Sequence, residues 1–178
     1  MIRTALVKDA RSIAQIHVSA WQKGYKDIFP ADFLASLSVQ DKEQFWKKTL
    51  QNPGKGQYIV YENTQGIKAF AVFGPARDAD LAETSAELVA LNVCPQSWRQ
   101  GIGKKLIFSV ISETKNQHYK ALFLWVAKDN LKAIRLYEQL GFCLEGKIKR
   151  DIRHTGEPLT EIRYIKEYGK NKVGSYSS

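Results

Sequence analysis

The chain predicts an α/β or α+β fold built on a mixed sheet, and three observations predict it. Strand-like and helix-like stretches alternate through the middle of the sequence, with a hairpin-like pair of strands towards each end. The run 121–127, A-L-F-L-W-V-A, is apolar in both phases, as expected of a strand covered on both faces. The length, 178 residues, suits one domain that can bury a core without a disulfide or metal staple.

The elements follow in order. Residues 2–6 read as a short strand, and Asp9 is expected to cap a helix that sets Ile13, Ile16 and Ala20 on one stripe. A second helical region covers 31–50, with Pro30 near its start and a break around 36–38. Asn52-Pro53-Gly54 ends it as a turn. Residues 57–62 and 67–74 form a hairpin about the turn 63–66. The acidic, polar stretch 75–85 reads as a loop, and 87–93 as a strand stopped by Pro95. A helix spans 101–116, with Gly103, Leu106, Ile107, Val110 and Ile111 inward. After the apolar strand, a helix at 130–140 turns Ala133, Leu136, Tyr137 and Leu140 inward, and Gly141 sits where a helix-ending glycine belongs. Two strands, 143–151 and 160–166, follow around the turn H-T-G-E-P.

Composition excludes several classes. With 44% hydrophobic and 25% charged residues the chain is not a disordered one. Lys and Arg exceed Asp and Glu by 27 to 18, a net charge of +9, which favours an anionic partner such as nucleic acid, a phosphate-bearing cofactor or a membrane surface without choosing among them. The longest apolar run is 121–127, far short of the roughly 20 residues that span a bilayer, and the first residues lack the apolar segment of a signal peptide. Cys94 and Cys143 have no metal-ligand spacing, so two buried thiols in a reducing cytoplasm are expected and no metal. No helix-turn-helix or aromatic RNA-binding motif accompanies the positive charge, which argues against nucleic acid.

The most informative segment is 92–106, N-V-C-P-Q-S-W-R-Q-G-I-G-K-K-L: a strand end, a turn with two glycines, and the start of an amphipathic helix. The first amides of a helix lack intrahelical partners and carry the positive end of its dipole, so this is an anion site. Arg99, Lys104 and Lys105 add full charges. The P-loop pattern is absent, and a dinucleotide fingerprint fails because position 106 is Leu and 114–128 holds no acidic residue. A pyrophosphate cradle for coenzyme A, or a glycine turn with capping charges and no ligand, remains.

Downstream, N-L-K-A-I-R-L-Y-E-Q-L-G-F at 130–142 follows the apolar strand. Together with W-R-Q-G-I-G at 98–103, it resembles the GNAT superfamily of N-acetyltransferases, whose members carry a Q/R-x-x-G-x-G/A turn and then N-x-x-A-x-x-x-Y-x-x-x-G-F. The resemblance covers residues 2–167. One position departs: Trp98 stands where the family has Arg or Gln, which leaves it a packing role at the rim of the turn.

What the resemblance implies is a single acetyltransferase domain over 1–168 and a flexible tail over 169–178. Its sheet would be mixed, mostly antiparallel, of about six or seven strands flanked by about four helices. The reaction would be direct transfer of an acetyl group from acetyl-CoA to a primary amine of a small molecule or peptide. Acetylation of a protein N-terminus or lysine, or a non-catalytic acyl-CoA-binding regulatory module, are the alternatives. Cofactor contacts carry over to Leu91, Val93, Arg99, Gln100, Gly101, Ile102, Gly103, Lys104, Asn130, Ala133 and Tyr137. An alkyl ammonium is neutral in only about one molecule in a few thousand at pH 7, so a base is needed, and Glu87 is the choice, with Glu83 a weaker rival. Tyr137 would protonate the departing thiolate. His17, Trp21 and Tyr25 fall at i, i+4 and i+8 on the first helix and would form an aromatic wall for the amine. Asp78, Asp80 and Glu83 could draw a cationic acceptor, and Cys94 as an acyl-carrying nucleophile lacks an activating base. The resemblance is compatible with a homodimer; the composition and motifs above lead one to expect no nucleic acid, no membrane and a cytoplasmic location.

Overall fold

The computed structural model describes residues 1–151 and 159–169. In chain order the elements are β1 (Ile2–Thr4), α1 (Ala10–Gly24), α2 (Ala31–Ser36), α3 (Val39–Gln51), β2 (Gln57–Asn63), β3 (Gly66–Pro75), β4 (Ser85–Val93), α4 (Ile102–Asn116), β5 (Ala121–Ala127), α5 (Leu131–Gln139), β6 (Cys143–Asp151) and β7 (Leu159–Glu167). The strands form one sheet in the order β1-β2-β3-β4-β5-β7-β6. Among the described residues only β4 and β5 run parallel; every other neighbouring pair is antiparallel.

Alternation along the strands divides the molecule into layers. On one face, Ala69, Ala71 and Phe73 of β3 meet Leu106, Ile107 and Val110 of α4 and Ile134 and Tyr137 of α5. On the other, Val60, Phe70 and Val72 meet Ala10, Ile13, Ala14 and Ile16 of α1 and Trp46 of α3. The strand β5 is buried at six of its seven positions, as its unbroken apolar run requires.

The break expected around 36–38 separates α2 from α3, giving five helices among the described residues: Leu37 is extended, and the Ser38 hydroxyl accepts from the Asp41 amide at 3.1 Å, so a fresh N-cap starts α3. Two expectations are corrected. Asp9 does not cap α1. Its carboxylate accepts from the Leu6 amide at 2.8 Å and from Arg3 at 2.6 and 3.1 Å, closing the short 3-10 turn Val7–Asp9 instead. The thiols are not both buried, since Cys94 is half-buried and Cys143, on the edge strand β6, is exposed. The H-T-G-E-P turn and residues 170–178 of the expected tail lie outside the described residues.

What positions the site is the parting of β4 from β5. They pair only at Ser85↔Ala121, Ala86↔Leu122 and Glu87↔Phe123, although β4 runs on to Val93 and β5 to Ala127. Just beyond, the register of β3 jumps from Phe73↔Leu88 to Val72↔Ala90, so Val89 is an extra residue in β4. Such a bulge bends the strand that carries it, and here it swings β4 away from β5 to open a wedge between them.

Candidate active site

One wall of the wedge is the turn from β4 into α4. Pro95–Ser97 forms a 3-10 turn, Arg99 takes φ 61° and Gly101 takes φ 74°. Left-handed backbone at Arg99 is uncommon outside Asn, Asp and Gly, and such conformations gather at ligand sites. The Lys105 amide donates to the Gly101 carbonyl at 3.0 Å, so the amides of Ile102, Gly103 and Lys104 lie ahead of the first intrahelical bond. The two glycines differ in purpose. A Cβ on Gly101 would meet nothing within 4 Å, so its backbone angle is what requires glycine. A Cβ on Gly103 would meet Leu136 at 3.5 Å, Val93 at 3.7 Å and Leu91 at 3.9 Å, ordinary contacts that bring β4, α4 and α5 together at one point. Arg99, Gln100 and Lys104 are exposed beside them, and Gln100 Nε2 donates to the Gln96 carbonyl at 3.3 Å.

Trp98 has a defined task that its sequence position did not reveal. Its indole N–H donates to the Val93 carbonyl at 2.7 Å, tying the turn to the end of β4.

The opposite wall is the start of α5. Asn130 Oδ1 accepts from the Ala133 amide at 3.2 Å, while the Asn130 amide donates to the Ala127 carbonyl at 2.9 Å. Tyr137 is buried, edge-on to Phe142 at 5.8 Å. Its helix is fastened to the sheet by Tyr164, whose hydroxyl donates to Glu138 at 2.9 Å. Burial, with Tyr25 nearby adding to it, pushes the Tyr137 phenol well above its ordinary pKa. Tyr25, at the end of α1, reaches this wall: burial raises its pKa too, partly offset by the Asn130 side chain against its hydroxyl.

Across the other face of the sheet, His17, Trp21 and Tyr25 do line up, with ring centroids 5.5 and 5.0 Å apart, and Phe29 extends the row 5.3 Å from Tyr25. The row has two ends. His17 Nδ1 accepts from the Trp46 indole at 3.3 Å, directing that ring towards the core, whereas Tyr25 faces the wedge.

Glu87 sits at the vertex, 3% exposed, with Arg77 Nε donating to one carboxylate oxygen at 2.7 Å and Nη2 to the other at 2.5 Å. Asp78 and Asp80 are not free to attract an acceptor. Both accept from the buried Arg163 at 2.9 Å, Asp78 also accepts from the Trp125 indole at 2.9 Å, and Glu145 completes the cage around the guanidinium. Glu83 is exposed in the loop. Arg77 and Arg163 were missed by sequence reasoning. A signal for Arg163 exists: an arginine inside the strand pattern I-R-Y-I needs buried acidic partners, and the loop 76–84 carries them. Among the described residues no cluster of His, Cys, Asp and Glu could hold a metal ion, and no helix is long and apolar enough to cross a membrane.

Comparison with known proteins bears on this arrangement. A sequence profile described as the acetyltransferase (GNAT) family matches residues 12–142. An uncharacterised N-acetyltransferase of Bacillus subtilis is 30% identical over 129 residues, 72% of each chain. The ribosomal-protein-alanine N-acetyltransferase of Escherichia coli is 34% identical over 107 residues, 59% of this chain and 68% of its own. The PaiA N-acetyltransferase of Thermoplasma acidophilum, solved in complex with coenzyme A, superposes with a TM-score of 0.73 at 18% identity, covering 94% of this chain and 98% of that one. With its parted parallel strands, its glycine turn and this profile over most of its length, the chain belongs to the acetyltransferase (GNAT) family.

Proposed function

We propose that the chain moves an acetyl group from acetyl-CoA to a primary amine of a small molecule or peptide, by direct attack with both substrates bound. One observation supports the reading: β4 and β5 part beyond Glu87, with the amides of residues 102–104, ahead of the first intrahelical bond, after β4 and the helix α5 that carries Tyr137 after β5. The residues fit the cofactor, because a helix start with Gly101 open to its surroundings suits a diphosphate and a parted pair of strands suits an extended arm.

Acetyl-CoA supplies an activated thioester whose departing thiolate needs a proton. The amides of Ile102, Gly103 and Lys104 bind the diphosphate, with Arg99, Gln100 and Lys104 as outer contacts. The backbone from Leu91 to Val93 flanks the arm and offers donors to the developing oxyanion. Asn130 and Ala133 hold the arm from the α5 side. Tyr137 remains protonated through neutral pH and gives its proton to sulfur. Glu87 takes the ammonium's proton through water once Arg77, whose side chain is 64% exposed, swings aside. Trp21 and Tyr25 line the route of the amine, and His17 stiffens that wall from behind. We assign the reaction to the cytoplasm, where two free cysteines stay reduced.

A peptide N-terminus is the favoured acceptor class, since a protein acting on ribosomal-protein alanine is among the relatives. The test is an assay for free thiol and acetylated product with acetyl-CoA and either a peptide bearing an N-terminal alanine or spermidine. Acceptor-dependent thiol release is expected. Thiol release no faster than acetyl-CoA hydrolysis with both amines overturns the reading.

A further inference from the structure

We propose that Glu161 captures the ammonium form of the acceptor, and that Lys149 is the cation the acceptor displaces to reach it. The inference rests on the acetyl transfer proposed above.

Placement comes first. Glu161 on β7 pairs with Ala127, the last residue of β5, and the Ala127 carbonyl receives the Asn130 amide. The backbone of Glu161 is therefore fixed beside the start of the helix that carries Tyr137. On β7, Ile162 and Tyr164 belong to the core under α4 and α5. Strand alternation then turns Glu161 to the opposite face, the face of the α1 aromatic row. The Glu161 charge is felt at the Tyr25 hydroxyl, which borders both Asn130 and Tyr137.

Chemistry comes second. The Glu161 side chain is 18% exposed and meets Lys149 Nζ at 3.2 Å. That ammonium also stands 4.4 Å from the centroid of the Trp125 ring. A partly buried carboxylate and an aromatic face are thus already arranged around a primary ammonium, which is the form in which the acceptor arrives before it loses its proton. An incoming ammonium replaces one that is present, so the carboxylate never has to be stripped of water without a partner.

Commitment comes third. Glu87 is held by Arg77 through two hydrogen bonds, and Asp78, Asp80 and Glu145 surround Arg163. Among the described residues the ion pair of Glu161 is to Lys149, whose side chain is 35% exposed and can swing into water. The ligand class is an amine protonated at neutral pH: a peptide N-terminus, a lysine side chain or a polyamine.

The experiment compares the parent chain with Glu161→Gln and Lys149→Met, using a peptide with an N-terminal alanine, spermidine and acetyl-CoA. Glu161→Gln should raise the KM for the peptide by about 10–100-fold, the range that follows from removing a hydrogen bond to a charged group, with the KM for acetyl-CoA unchanged. Lys149→Met should lower the peptide KM by about 2–5-fold by removing the competitor. An ion pair with a purely structural role would move both variants in the same direction, and Glu161→Asp should recover part of the lost affinity. An unaltered peptide KM in Glu161→Gln, or a raised one in Lys149→Met, overturns the inference while leaving the transferase reading in place. A parent chain that transfers acetyl to neither amine overturns the transferase reading and this inference with it.

Discussion

Arg77 grips Glu87 through both carboxylate oxygens, at 2.7 and 2.5 Å, at the point where β4 leaves β5. A buried carboxylate held this way is placed to within a fraction of an ångström, but its lone pairs are engaged until the arginine moves. Glu87→Gln should lower kcat by about 100-fold or more, the contribution of a general base. Steady-state kinetics checks this; a kcat close to that of the parent assigns the base to another residue.

Tyr137→Phe should reduce kcat by about 100-fold while leaving coenzyme A affinity, read by calorimetry, close to that of the parent. Burial raises the Tyr137 pKa above its ordinary value near 10, so the phenol stays a proton donor over the whole neutral range. The sign of the stability effect follows. The folded state holds this proton more tightly than the unfolded state, so the contribution is fully present below about pH 10 and is lost as pH rises towards the folded value. Melting curves between about pH 9 and 11 should fall less steeply for Tyr137→Phe than for the parent.

The two glycines of the turn should respond differently to alanine. Gly101→Ala places a side chain at φ 74° and should cost about 1 kcal/mol of stability, with weaker coenzyme A binding. Gly103→Ala meets only contacts of 3.5 Å and beyond, and gains helix propensity, so its stability should stay within about 1 kcal/mol of the parent. Denaturant unfolding separates the two.

Arg163→Met removes the shared partner of Asp78, Asp80 and Glu145, and should lower the melting temperature by about 10 °C. The hydrogen bond from Arg163, ahead of a smaller opposing effect of burial and a further contribution from Lys147, holds the Asp80 carboxyl well below its usual range. Its contribution is present above the unfolded carboxyl pKa of about 4 and is lost as pH falls towards the depressed folded value. The parent should therefore lose thermal stability below about pH 4 more steeply than the variant, which starts lower.

Features that depend on neighbours within a few positions were legible before the fold was known. Gly101 at a helix start, Gly141 at a helix end, and the aromatic spacing of His17, Trp21 and Tyr25 are all local. Asp9 shows the limit of that reading: a capping residue was recognised, but Arg3 and the Leu6 amide compete for the same oxygens one turn earlier. Two of the partners of Arg163, Asp80 and Asp78, lie 83 and 85 positions away, and only the strand order brings them to it. The exposure of Cys143 follows equally from β6 lying at the sheet's edge, a fact of topology that no window of sequence contains.

The indole of Trp98 on the Val93 carbonyl has a consequence for how ligands are measured. An extended molecule docking along β4 would share the last carbonyl of that rail with the indole, which marks where the rail ends. Under the proposed reading, analogues of coenzyme A with a longer or shorter arm would carry the sulfur past Tyr137 or stop short of it even where the diphosphate seats normally.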